Sequence, residues 1–442
     1  MKRFVLLGVL AYGLFLLGLA FFLPRLIWMA IPLIVYLIAA LLAAPASPQL
    51  QVSRALSVHR VTKDTPVTVT LRVTNEGPAL EEVMIQDLVP ERLEIVGGVN
   101  QCLMSLDSGQ YCELHYQVRG KRGAYQFTST RIIASDLLGI RQRTRELETS
   151  STLLVLPDIT PMRPIAIRPL RTHGFAGPIP SRRGGTGVEF HGVREYHRGD
   201  PLRWINWRLT ARRPRFIFTN EFEQERIANV GLILDGRRRT NIAFEGDSLL
   251  EYGVSATASL SKAFLDAGNR VGMLIYGWYL DWTYPGYGRV QQERILRALA
   301  HAQPGDSLVF ERLQNLPVRF FPAGSQLVVV SPLCGDDLDA LQQLQMRGYE
   351  LLVVSPNPIH FEVSHLAANA EIDLAFRVAR LNRNLLLGNL RRLGIPVVDW
   401  QVDTPLDQGI QASLGRRPYL LHNRTRLARP QGLVVGPDGG TR

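Results

Sequence analysis

The chain predicts three unlike parts in series: an N-terminal pair of transmembrane helices, an all-β sandwich-like domain, and a C-terminal α/β domain with a largely parallel sheet. Three observations carry this reading. Two charge-free apolar runs, residues 4–23 and 26–44, stand at the N-terminus. Short alternating runs follow from about residue 51 to 149. Beyond residue 226, brief apolar runs alternate with longer amphipathic ones. The length of 442 residues suits two or three domains.

Each N-terminal run holds about 20 residues, enough at 1.5 Å per residue to cross a hydrocarbon core of roughly 30 Å. Pro24 and Arg25 leave almost no loop between them, so residues 1–48 read as a tight helical hairpin. Lys2 and Arg3 precede it, and Arg54, Arg60 and Lys63 follow. The positive-inside rule then places both ends in the cytosol, in a multi-pass protein of the inner membrane with cytoplasmic domains.

Residues 49–150 read as a small antiparallel sandwich. "TPVTVTLRVTNEG" puts Val67, Val69, Leu71 and Val73 on one face and closes on the turn signal Asn75-Glu76-Gly77. Cys102 and Cys112 bracket a hairpin tip, favoured as two reduced side chains of a strand pair. Cys334 stands alone. Residues 151–225 form a basic linker, with "GPIPSRRGGTG" as a flexible loop. Residues 226–408 form the α/β domain, whose first strand ends at Asp235. The Pro/Gly/Arg-rich segment 409–442 reads as a poorly ordered tail.

The formal charge of +11 suits an anionic partner without specifying one. In open α/β sheets ligands sit at the carboxyl ends of strands, where this chain offers Asp235, Ser331, Asp336, Asp337 and Ser355. A divalent cation at Asp235 needs oxygen neighbours, but Gly236-Arg237-Arg238-Arg239 follows. The favoured reading is a carboxylate paired locally with arginine, with no metal and no cofactor. Nucleotide-binding glycine motifs, His-Glu-x-x-His and Gly-x-Ser-x-Gly are all missing. No catalytic residue is assigned, and the chain reads as non-enzymatic.

One stretch is unusual: "GVEFHGVREYHRGDPLRWINWRLTARRPRF", residues 187–216. Seven arginines are interleaved with Tyr196, Trp204 and Trp207, against Glu189, Glu195 and Asp200. Gly199-Asp200-Pro201 is a turn. Its position between a sandwich and an α/β domain predicts a joint, with Tyr196 and Trp207 facing inward and Arg194 and Arg203 making buried charge-assisted bonds.

Phe190, Arg194, Tyr196, Gly199, Asp200, Arg203, Ile205, Trp207, Ala211 and Arg212 resemble the signature of the bacterial and archaeal "domain of unknown function 58" family of membrane proteins. The resemblance spans roughly residues 1–405 and implies a C-terminal domain similar to von Willebrand factor A. Such domains hold metal with Asp-x-Ser-x-Ser; here Asp235, Arg237 and Arg239 stand at those positions, so Asp235 marks a degenerate site. The resemblance also implies partners, a cytosolic MoxR-type AAA+ ATPase and transglutaminase-like membrane proteins. The role it implies is a membrane-anchored, non-enzymatic adaptor in assembly or quality control. The alternatives are a hydrolase of unknown substrate and an anionic-ligand or nucleic-acid-binding module.

Overall fold

The computed structural model describes residues 2–42, 48–135, 142–165, 179–213, 215–244, 246–277, 280–305, 312–366 and 370–415. Their side chains are described except at 2–5, 40–42, 179–191, 222–226, 370 and 414–415. Most of the expected tail, 416–442, lies outside the described residues.

The two apolar runs fold as α1 (Lys2–Ala20) and α2 (Pro24–Leu42), packed on each other across a turn in which Phe22 adopts φ +50. Among the described residues, no helix is long and apolar enough to cross a membrane. The expected transmembrane hairpin, and the inner-membrane localisation built on it, are corrected accordingly. One flanking charge used for orientation also has another task. The Arg54 side chain is 1% exposed and forks onto Asp87 inside the next region.

That region is a two-sheet sandwich. Its strands are β1 (Leu50–Leu56), β2 (Arg60–Thr62), β3 (Val67–Asn75), β4 (Leu80–Asp87), β5 (Leu93–Gly98), β6 (Gln101–Leu106), β7 (Tyr111–Gly120), β8 (Gly123–Ser135) and β9 (Gln142–Leu156). One sheet runs β1-β3-β7-β5 and the other β2-β9-β8-β4-β6. Val67, Val69, Leu71 and Val73 are all buried, as period-two alternation on a one-sided strand requires. Cys102 on β6 and Cys112 on β7 are not paired-strand neighbours: these two strands lie in opposite sheets, and the two thiols face each other at 3.8 Å in a thiol hydrogen bond, without a disulfide. Burial pushes the Cys102 thiol up to about 12.

The expected flexible loop is instead strand. β10 (Ile179–Glu195) pairs antiparallel with β11 (Phe218–Arg226), with register shifts between Ser181 and Gly184, Gly185 and Phe190, and Phe190 and Gly192. Bulges absorb the surplus residues that gave the segment no period in the sequence. The ribbon carries a short helix, α3 (Trp207–Arg212), in its connection.

The C-terminal region contains β12 (Asn229–Asp235), the two-residue strands β13 (Ala243–Phe244) and β14 (Asp247–Ser248), α4 (Leu249–Asp266), β15 (Arg270–Tyr276), β16 (Leu280–Gly286) and α5 (Gly288–His301). It continues with β17 (Gln326–Val330), α6 (Asp337–Met346), β18 (Glu350–Pro356), α7 (Pro358–Val363), α8 (Ala370–Arg392), β19 (Val397–Trp400) and α9 (Leu406–Gly415), so helix continues past residue 409. The sheet order is β16-β15-β12-β17-β18-β19, parallel except for the antiparallel edge strand β16. One apolar core lies under α4, α5 and α9 and another under α6 and α8. This mixed, mostly parallel sheet is compatible with a von Willebrand factor A-like fold. Burial of β12, β17 and β18 on both faces explains their unbroken apolar runs.

Sandwich and α/β region meet through Arg122, whose side chain is 6% exposed. It forks onto Glu251 at 2.7 and 2.9 Å and donates to the carbonyls of Leu299 and Ala300, at the C-terminal end of α5. Arg60 pairs with Glu293, and Lys121 donates to the Gly246 carbonyl. The directional arginine fork expected of residues 194–203 at this joint belongs to Arg122.

Candidate functional site

Two places hold the residues that the sequence singles out. The first is the connection between β10 and β11, here termed the arm. Gly199 has φ +113, a conformation that L side chains rarely adopt, and this lets the chain reverse at His197–Asp200. Asp200 accepts from the His197 backbone N–H at 2.9 Å, while its carboxylate receives both Arg194 terminal nitrogens at 2.8 Å. Those bonds, from Arg194 first and from the His197 N–H second, hold the Asp200 carboxyl below the usual carboxylate range. Arg194 also lies 3.6 Å from Glu221 on β11.

A 3-10 turn, Leu202–Trp204, follows Pro201, and the α-helix of the arm begins at Trp207. Asn206 caps α3 by accepting from the Leu209 N–H at 3.0 Å, and its amide donates to Asn220 at 2.8 Å. Ile205 is buried and bridges Thr219; Thr210 accepts the Phe218 N–H at 3.0 Å. These bonds tie the arm to itself.

Its outward face differs from expectation. Trp207 is 67% exposed, not turned inward, and Leu202, Phe216 and Ile217 are 69, 50 and 48% exposed. Arg203 is exposed too, its guanidinium 5.8 Å from the centre of the Trp204 ring. Arg208, Arg212, Arg213 and Arg215 are likewise exposed, and Tyr196 is half-buried. The Phe190 side chain lies outside the described residues. A buried joint is therefore corrected to a clamped turn that presents an apolar and basic face.

The second place is the carboxyl end of β12. The Arg237 side chain is 2% exposed and lies between two carboxylates exposed by 0 and 2%, Asp235 and Asp337. Nε and Nη2 reach Asp235 at 2.9 and 2.8 Å; Nη1 and Nη2 reach Asp337 at 2.9 and 2.8 Å. Ser331 donates to Asp235 at 2.6 Å, and the Cys334 N–H donates to Asp337 at 2.8 Å. Burial disfavours the guanidinium charge, but the hydrogen bonds of both carboxylates outweigh it and raise its pKa. Arg239 covers the rim, reaching Asp336 at 2.9 Å.

This arrangement limits the chemistry. Cys334, Asp336 and Asp337 could bring ligand atoms within 4.8 Å of one another, but the two carboxylates are already held by arginines. Burial pushes the Cys334 thiol up, away from a nucleophilic thiolate. The cavity against Asp235 is about 10 Å³, whereas ligand pockets run to roughly 300 Å³ or more. A guanidinium occupies the space between the carboxylates. Sequence named Asp235, Ser331 and Asp337 separately; their meeting through Arg237, across 100 positions to Asp337, has no local signal.

Residues 192–356 match the family model described as "Protein of unknown function DUF58". The match covers less than half of the chain, beginning just past Phe190 and ending with β18. The expected resemblance over residues 1–405, with its membrane helices, narrows to this segment. The chain is 28% identical over 278 residues to "Uncharacterized protein YeaD" of Bacillus subtilis (strain 168), covering 62% of this chain and 67% of that protein. Among solved structures, a FixG-related protein from Vibrio parahaemolyticus is 12% identical over 25% of this chain and 98% of its own, with a TM-score of 0.17. A non-cellulosomal cohesin from Archaeoglobus fulgidus is 14% identical over 24% of this chain and 91% of its own, also at 0.17. Such scores carry no argument. The membrane-anchored adaptor role and its transglutaminase-like membrane partners lose their basis with the spanning helices. The match over residues 192–356 gives no support to the MoxR-type ATPase that the wider resemblance implied. Residues 192–356, arm and buried triad together, are similar to a family described as of unknown function.

Proposed function

We infer that the protein is a protein-recognition module whose reading element is the arm, and that its partner offers an acidic segment with apolar anchors. The observation that carries this is the exposure of Trp207, Leu202, Phe216 and Ile217 among six exposed arginines, Arg198 included. Tryptophan and arginine are the side chains most enriched where binding energy concentrates at interfaces. The Arg194–Asp200 clamp holds the loop in one shape before binding, which lowers the ordering cost. In this reading the α/β region is a scaffold, and Arg237 supplies internally the positive charge that a bound cation would otherwise bring.

The test is binding of a displayed library of acidic, aromatic-containing peptides to the full chain. Selected peptides should bind the parent and fail on Trp207→Ala and Arg208→Glu, with melting unchanged because both side chains are exposed. Equal retention by those variants would refute the reading. If single-stranded DNA binds more tightly, with affinity falling steeply in salt, the arm serves nucleic acid instead.

A further inference from the structure

α8 carries two apolar faces, and among the described residues only one is packed. Inward, Arg383, Leu387 and Leu390 are buried. Arg383 forks onto Asp399 at 2.8 and 3.1 Å and donates to the Pro332 carbonyl at 3.0 Å, which pins the helix against the strand ends. Outward, Leu374, Val378, Leu381 and Leu385 are 63, 51, 63 and 65% exposed. Their spacing of four, three and four is that of a coiled-coil seam. Singly exposed leucines are ordinary on a protein surface, but a straight row of four large side chains is not.

The row is also a palindrome. A second α8 laid antiparallel, with its two-fold axis between positions 379 and 380, sets Leu374 against Leu385 and Val378 against Leu381, each contact occurring twice. A two-fold interface demands this self-complementarity. The charges select the same direction. The first turn holds Glu371 and Asp373 and the last holds Arg391 and Arg392, all exposed. Antiparallel packing puts the acidic end of each helix beside the basic end of the other, and the helix dipoles oppose favourably. Parallel packing would stack like charges.

We propose that α8 is a homodimer interface, the occupant of its outer face being a second copy of this chain in antiparallel register. Two helices of 23 residues, each about 34 Å long, bury less than a standard interface, so the dimer is weak and concentration-dependent. It would carry two arms, and a partner with two recognised segments would gain avidity. The proposal does not depend on what the arm binds.

Sedimentation velocity of the full chain should show monomer passing to dimer between about 1 and 100 µM. Leu381→Glu should remove the dimer without changing the melting temperature. Should that variant fold poorly, the milder Leu385→Gln should weaken dimerisation at least tenfold. Direction is read by crosslinking, with the unmodified chain as control for its native thiols. Chains carrying Val378→Cys and Leu381→Cys should form a disulfide-linked heterodimer when mixed under mild oxidation, and little homodimer separately. A chain monomeric at 100 µM, association surviving both substitutions, or efficient self-crosslinking of Val378→Cys alone would each overturn the proposal.

Discussion

Replacing Arg237 with alanine removes the guanidinium that bridges Asp235 and Asp337 and leaves both carboxylates in place, 0 and 2% exposed. Four N–H···O contacts of 2.8–2.9 Å disappear. Counting each at the usual value of a charged hydrogen bond, about 1.5–3 kcal/mol, overshoots, because burying the guanidinium itself was costly. Ser331 and the Cys334 N–H also continue to serve the stranded carboxylates. The expected loss is that of breaking a buried pair, about 3–5 kcal/mol. For a domain of this size that corresponds to a fall of about 6–20 °C in melting temperature. The assay is thermal unfolding of the full chain, following the α/β transition, with and without magnesium or manganese. Two carboxylates and a hydroxyl facing a vacated space form an oxygen-rich cation site, so a divalent ion should restore part of the loss. At one hundred times its dissociation constant it returns about 2.7 kcal/mol. The parent should not respond to the ion, since its guanidinium competes for the same oxygens. A variant melting within about 1 °C of the parent would refute the reasoning, as would a cation-dependent rise in the parent.

Two further outcomes follow from named contacts. Arg122→Ala should loosen the sandwich from the α/β region, with Arg60–Glu293 and Lys121–Gly246 still in place, at a cost of about 1–3 kcal/mol, at the low end because Glu251 is partly exposed. Faster proteolytic cleavage between the regions would show this, and an unchanged digestion pattern would deny Arg122 the role of joint. For the arm, the folded Asp200 pKa lies below its unfolded value. The clamp's contribution is therefore present above the unfolded pKa and lost as pH falls through the folded one. The Asp200 carboxyl carbon resonance should titrate below the ordinary aspartate range in the parent and return to it in Arg194→Ala; identical midpoints would remove the clamp.

The sequence by itself determined what depends on neighbours along the chain. The alternation of Val67, Val69, Leu71 and Val73 specifies a half-buried strand, because side chains alternate faces whatever surrounds them. The continuous run before Asp235 specifies a strand covered on both sides. Gly199-Asp200 specifies a reversal, since a left-handed backbone and a short acceptor act within four residues. Tertiary structure alone decided matters of distance and direction. Arg237 meets Asp337 because β12 and β17 are adjacent parallel strands whose ends open at one level. Arg122, unremarkable among basic residues, is the joint because the β7–β8 turn lands on α4 and α5. Trp207 could be assigned to core or surface from composition equally well; in the fold it opens α3, just after the Asn206 cap, and is exposed. α8 shows the limit most clearly. Leucines at 374, 381, 385, 387 and 390 fit more than one helical face, and only packing against β18 and β19 settles which face is left bare. Periodicity measures which residues share a side; what lies against that side is a property of the fold.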